Sequence, residues 1–310
     1  MLKKFIGLIF LCLNTPVLAA GISSETVPNK PIATEIKSDT HEDPFAIRVF
    51  GGLGNQMFLL ASQFAYAKKF NKKICLREPF NPAFDVPIRL CSDDEIKKAR
   101  QKSCRFYRFS PSFFQQDDCL EIPYDYLQDE RFFANERDTI KKMFRFVEPL
   151  PETISTLANE IRRKNSVAVH IRRTDYLKYP TLYPIMTLDY YMAGADYIQN
   201  HSRENIHLFV FSDDTDWVSK NFKSRYPFTI VSGNSATTDL HLMSLCRHNI
   251  IANSTFSWWG AYLNKNPNKI VVAPDTWNLQ SPQWGKDIIL KDWIVMPIHP
   301  KTKDKSVNVS

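Results

Sequence analysis

Residues 166–173 read SVAVHIRR, an apolar run that ends in a histidine two positions before a pair of arginines. A guanidinium stays charged at every accessible pH and is costly to desolvate alone, so two of them closing a buried strand call for an anion. Strand alternation puts Ala168, His170 and Arg172 on one face, with Val167, Val169 and Ile171 on the other. Two readings follow. In one, Arg172 or Arg173 pairs with Asp175 and merely holds the fold. In the other the arginines clamp a diphosphate, whose oxygens a planar fork of N–H donors grips bidentately.

Three further clusters carry polar groups of the same kind. In FSDDTDW, Asp214-Thr215-Asp216 matches the D-x-D of metal-dependent sugar transferases. Asp213 and Asp214 also follow a strand and precede a helix, where carboxylates cap free N–H groups, and capping is the preferred reading. In TTDLHLMSLC, Asp239 either caps a helix or accepts from the N1–H and amino group of a guanine. In NSTFSWWGAYL, Ser254, Thr255, Phe256 and Ser257 begin a helix after a strand, where hydroxyls and free backbone N–H groups together make an anion site. An ordinary cap followed by buried Trp258 and Trp259 is compatible with that. FGGLGNQ supplies Gly52 and Gly54 as the first two glycines of a dinucleotide fingerprint, but Met57 occupies the third place. Its glycines imply a tight turn or a close approach of backbone to ligand.

These clusters need a scaffold that gathers them. FAIRVF predicts a strand, Met57, Leu60, Ala61, Phe64 and Ala65 recur at helical spacing, and KKICLRE predicts a second strand. Residues 80–146, dense in Phe, Tyr, Pro and charge, complete a first domain without readable periodicity. After Pro149 and Pro151, the strands SVAVHIRR, IHLFVFS, FTIVS, NIIAN and KIVVAP alternate with helical segments. Short apolar strands alternating with helices imply an α/β fold with a doubly wound parallel sheet, and ligands bind such sheets at the carboxyl edge. Each cluster of the second half falls at that edge.

The chain has 310 residues, 44% hydrophobic and 24% charged, which suits a folded protein of two domains. Its net charge of +7 would suit nucleic acid, a phosphorylated ligand or an anionic membrane surface, but it is spread along the sequence rather than gathered in one tract and alone decides nothing; no nucleic-acid partner is expected. MLKKFIGLIFLCLNTPVLAAG has the basic start, apolar stretch and small-residue end of a signal peptide, and its apolar part is short for a span of ~20 residues. Residues 1–20 are therefore expected to be a signal peptide or short anchor, giving export or membrane association, and 21–44 a disordered spacer. Domains are expected over 45–150 and 151–298, with a loose tail over 299–310. Without Cys12, five cysteines remain and no C-x-x-C pair, which speaks against zinc and allows at most two disulfides, among the four cysteines from 75 to 119.

GGLGNQMF, HIRRTDY, FSDD and NSTFSWWGAYL, in this order and spacing, resemble the alpha-1,2-fucosyltransferases of glycosyltransferase family 11, over roughly residues 47–296. The resemblance implies a GT-B-like arrangement of two Rossmann-type lobes. It implies inverting, metal-independent transfer from GDP-fucose to a galactose-ended glycan, with no cofactor. It places Arg172 at the β-phosphate with Arg173 reinforcing it, His170 beside the nucleoside, Asp239 at guanine and Ser254 to Ser257 on phosphate. Gly52, Gly54 and Asn55 then meet the sugar diphosphate from the first lobe. No residue is named as general base: Asp175 is placed to orient an arginine, and residues 80–146 hold other carboxylates. The competing readings are another fucosyl linkage, an NADP-dependent oxidoreductase using GGLGN and Arg77, and a non-catalytic glycan-binding protein.

Overall fold

The computed structural model describes residues 44–299 except 124 and 147–149. The expected signal segment, spacer and tail lie outside the described residues, apart from the boundary positions Pro44 and His299. Among the described residues no helix is long and apolar enough to cross a membrane.

The first unit is β1 (Phe45–Ile47), α1 (Leu53–Lys69) and β2 (Ile74–Leu76), with the two strands paired in parallel. β1 is shorter than FAIRVF because the side-chain amide of Gln63 takes over the backbone of Arg48, donating to its carbonyl at 2.8 Å and accepting from its N–H at 3.3 Å. Gly51 makes the turn into α1 at φ +79°, a conformation that a Cβ disfavours. α1 is buried from Met57 through Ala67 on nearly every side. The 80–146 stretch supplies α2 (Asp93–Arg100), opened by a Ser92–Glu95 capping box, several 3-10 turns and α3 (Arg137–Met143). It is stapled by disulfides Cys75–Cys91 and Cys104–Cys119, and Cys246 is free and buried.

The second unit runs α4 (Glu152–Arg163), β3 (Asn165–Ile171), α5 (Leu188–Asn200), β4 (Ile206–Ser212), α6 (Thr215–Asn221) and β5 (Phe228–Val231). It continues with α7 (Ala236–Leu245), β6 (His248–Ile250), α8 (Thr255–Leu263), β7 (Val271–Pro274), α9 (Pro282–Ile288) and β8 (Ile294–Met296). All six strands are parallel, in the order β5-β4-β3-β6-β7-β8. β8 is a strand that the sequence reading omits. The sheet is doubly wound: Val167, Val169 and Ile171 pack with Tyr190 and Ile198 of α5 and Val218 of α6, while Ala168 packs with Ile161 of α4 and Leu242 of α7.

Two parallel-sheet units, one small and one large, give the GT-B-like plan, and they share an aromatic core. Phe58 of α1 lies 4.5 Å from the ring of Trp258 and 5.1 Å from that of Trp259 in α8, with Phe133 and Phe144 against Trp259. The indole N–H groups are satisfied, Trp259 donating to Gly54 O at 3.0 Å and Trp258 to Ile288 O at 2.7 Å. Each such ring pair adds roughly 0.5–1.5 kcal/mol beyond its area. α1 and α8 are thereby locked, and their N-termini open on the same side.

Candidate functional site

Counted in chain order within the six-stranded sheet, the strands lie third, second, first, fourth, fifth, sixth, so the order reverses between β3 and β6. The helices that follow these two strands leave on opposite faces and open a crevice at their carboxyl ends. A cavity of about 550 Å³ lies there, lined by His170 near the end of β3 and Arg172 after it, Asn253 to Phe256 after β6, Asp239 of α7, and Gly52, Gly54 and Asn55 at the start of α1.

Arg172 projects into this cavity with Nη2 2.8 Å from Asp175 and Nη1 3.3 Å from Asp213. Burial disfavours its charge, yet the hydrogen bond to Asp175 and the field of Asp213 outweigh that and hold the guanidinium above its ordinary pKa. The two carboxylates differ in freedom. Asp213 also accepts from the backbone N–H groups of Arg173 and Thr174 at 2.9 and 3.1 Å and so fixes the loop after β3. Asp175 is half exposed and its Oδ1 has no partner.

Arg173 does not join it. Its guanidinium lies 3.6 Å from the ring centre of Trp217, its Nε is 3.2 Å from Asp214, and it is absent from the cavity wall. Of the two arginines expected to share the clamp, the structure thus brings one to the cavity, because consecutive side chains of an extended segment leave on opposite faces. Ser257 is the second exception. It is fully buried and its hydroxyl donates to Ser254 O at 3.2 Å, within the first turn of α8.

Asp214 caps α6, accepting from Trp217 N–H at 3.1 Å, so the D-x-D stretch is a helix start. Among the described residues the one group at metal-ligand spacing is Cys104, Asp118 and Cys119, whose thiols are joined in a disulfide. His170 is buried, Nδ1 has no hydrogen-bond partner, and desolvation pushes its pKa down to about 4, which leaves a neutral imidazole facing the cavity. On the opposite wall burial pushes Asp239 up to about 6, against a hydrogen bond of 2.9 Å from the Asn234 amide.

The helix starts complete the wall. Gly52 before α1 and Ser254 before α8 make no side-chain cap, and no acid occupies either first turn. Unsatisfied N–H groups and the positive ends of two helix dipoles therefore converge on one cavity. Asn55 Oδ1 accepts from Thr255 Oγ1 at 2.8 Å and from Gln128 Nε2 at 2.7 Å, tying these starts together. Gly54 also acts between helices: a Cβ there would lie 2.5 Å from Thr255 C and 2.6 Å from Phe256 N. Asn253 holds the far side, its buried amide donating to Pro184 O and Trp277 O at 3.1 Å each. Tyr126, Gln128, Tyr176, Tyr183, Asn234, Trp277 and Trp284 line the cavity as well. They come from loops and a short helix without periodicity, and no local signal marks them.

Arg77, the residue an NADP reading requires, is buried against Glu121 outside the cavity. The sequence pattern of glycosyl transferase family 11 matches residues 17–297. The O-antigen biosynthesis glycosyltransferase WbnK of Escherichia coli is 32% identical over 59% of this chain and 63% of its own length, so the chain spans less than two thirds of that relative. An Escherichia coli alpha-1,2-colitosyltransferase is 30% identical over 74% of this chain and 91% of its own. The galactoside 2-alpha-L-fucosyltransferase SEC1 of Bos taurus is 26% identical over 71% and 64%. A crevice lined by Arg172 and two uncapped helix starts at the reversal of a doubly wound sheet, and a family pattern covering nearly all of the chain, lead to one conclusion: the protein belongs to glycosyl transferase family 11.

Proposed function

We propose that the protein is a glycosyltransferase that moves L-fucose from GDP-fucose to the 2-hydroxyl of a terminal β-galactoside, inverting the anomeric centre without a metal. The observation that carries this reading is Arg172, a guanidinium facing a cavity that two uncapped helix starts also face. In the transfer the acceptor oxygen bonds to C1 of fucose, the C1–O bond to the β-phosphate breaks with its electron pair leaving on GDP, and the hydroxyl proton passes to water. Charge on the diphosphate grows only as that bond breaks, so a fixed cation there stabilises the transition state more than the ground state. Diphosphate oxygens replace Asp175 at Arg172, while Asp213 stays anchored by its backbone donors. Asp239 and Asn234 receive guanine, and neutral His170 offers Nδ1 to the nucleoside or sugar.

A second donor is favoured by one observation. The colitosyltransferase relative matches over 91% of its length, and colitose is fucose without the 3-hydroxyl. Export fits the two disulfides, which persist in oxidising compartments. The test is incubation with GDP-fucose or GDP-colitose and a panel of terminal galactosides in EDTA, with linkage analysis of the product. A 1,2-linked product is expected, and Arg172→Ala is expected to lower turnover about 10²–10³-fold with the fold intact, the usual loss for one such donor. Unchanged turnover in that variant, or dependence on a divalent cation, overturns the mechanism.

A further inference from the structure

A smaller cavity of about 230 Å³ adjoins the first and shares three of its walls, Tyr126, Gln128 and Trp284. What occupies one therefore meets what occupies the other. Its chemistry is different. Aromatic rings from Tyr107, Phe109, Phe132, Tyr126 and Trp284 surround it, and Asp125, Asp129 and Asp287 also line it. Carboxylates take hydroxyl hydrogens in strong charge-assisted bonds, and Arg108 on the same wall can donate to a hydroxyl oxygen. Rings and hydroxyl acceptors together are complementary to a sugar, whose C–H faces are apolar and whose rim is polar.

Two of the carboxylates are already engaged, since Arg131 bridges Asp129 and Asp287. Asp125 has no cationic partner of that kind: its carboxylate accepts from the backbone N–H groups of Tyr126, at 2.6 Å, and of Leu127, while burial raises its pKa. An independent observation points the same way. Gln128 is 8% exposed and gives its amide hydrogen to Asn55, but its Oε1 has no donor. A buried carbonyl left unpaired costs ~1–3 kcal/mol, and Gln128 lines the seam where the two cavities meet.

We propose that the smaller cavity is the acceptor subsite. In it a neutral saccharide lays a C–H face on Trp284 and Tyr126, gives hydroxyl hydrogens to Asp125 and to Gln128 Oε1, and sends one hydroxyl across the seam toward the donor. The inference rests on the donor assignment above and adds the acceptor's position and the residues that select it. The loop closed by Cys104–Cys119 carries Tyr107 and Phe109 to the rim, so the same staple that orders residues 104–119 shapes the subsite.

The test uses the full chain and lactose as probe, with saturation-transfer NMR for binding, initial rates for KM, and calorimetry for GDP. The variants are Asp125→Asn, of equal size, and Tyr107→Ala, at a position 72% exposed and so harmless to folding. Lactose is expected to show saturation transfer with the wild type, its KM to rise five- to tenfold or more in each variant, and the GDP Kd to stay within twofold. If the wild type transfers fucose to lactose while both variants keep its KM within twofold, the subsite is overturned and the transfer reading stands. If lactose binds and both variants lose it but neither fucose nor colitose moves, the transfer reading fails and the pocket stands as a saccharide-binding site only. Absence of any lactose signal with the wild type overturns the subsite, and GDP binding then judges the donor site separately.

Discussion

Arg172 and Arg173 are adjacent in the chain but serve different surfaces, one facing the crevice and the other stacked on Trp217 and paired with Asp214. The alternation that separates them is readable from SVAVHIRR. The cap at Asp214 is equally legible, because a carboxylate between a strand and a helix has local work to do, whereas Asp213, expected to cap as well, binds the loop after β3 instead. Asp239 shows the limit of such reading, since local sequence leaves cap and ligand roles equal; burial and its place on the cavity wall favour the ligand. Burial raises its pKa to about 6, so the carboxylate that would accept from guanine is populated above that pH and lost below it. GDP affinity is therefore expected to fall as pH drops from 7 to 5. Asp239→Asn is expected to weaken GDP about tenfold or more at pH 7, the worth of a hydrogen bond to a charged group, and to flatten that profile in calorimetry.

At the level of elements, the periodic half of the chain was readable and the aperiodic half was not. Strands β3, β4, β6 and β7 are short and mostly buried, so their apolar runs stand out between helices. β8 escapes because Ile294–Met296 is a three-residue edge strand with Val295 54% exposed, leaving no apolar run. Residues 80–146 are organised by 3-10 turns, ring contacts and two disulfides, and partners far apart in sequence leave no local trace. Gly54 is the instructive case, for GGLGN reads as room for a ligand, whereas the room is also taken by the start of α8. Gly54→Ala sets a Cβ against backbone, which cannot move as a side-chain tip can. Overpacking of this kind costs about 1–3 kcal/mol. A matching fall in urea stability is expected, with weaker GDP binding as α1 and α8 are pushed apart.

For the whole molecule the two disulfides bear on stability and on the export proposed above. A crosslink closing a loop of about 15 residues contributes ~3 kcal/mol by restricting the unfolded chain. Cys104→Ser with Cys119→Ser should lower the urea midpoint accordingly, and intact mass of the exported chain should show two disulfides and the loss of residues 1–20. A reduced chain retaining those residues would contradict the export proposal. Asn253 has a consequence for how the protein is made. Asn253-Ser254-Thr255 is a sequon, yet in the folded chain its amide is buried in two hydrogen bonds that wall the crevice. A host that attaches oligosaccharide to nascent chains would modify it before that wall closes, trapping a fraction of molecules without a working crevice. A bacterial host lacking that machinery avoids the loss, and Asn253→Asp would not, because a carboxylate cannot donate to Pro184 and Trp277.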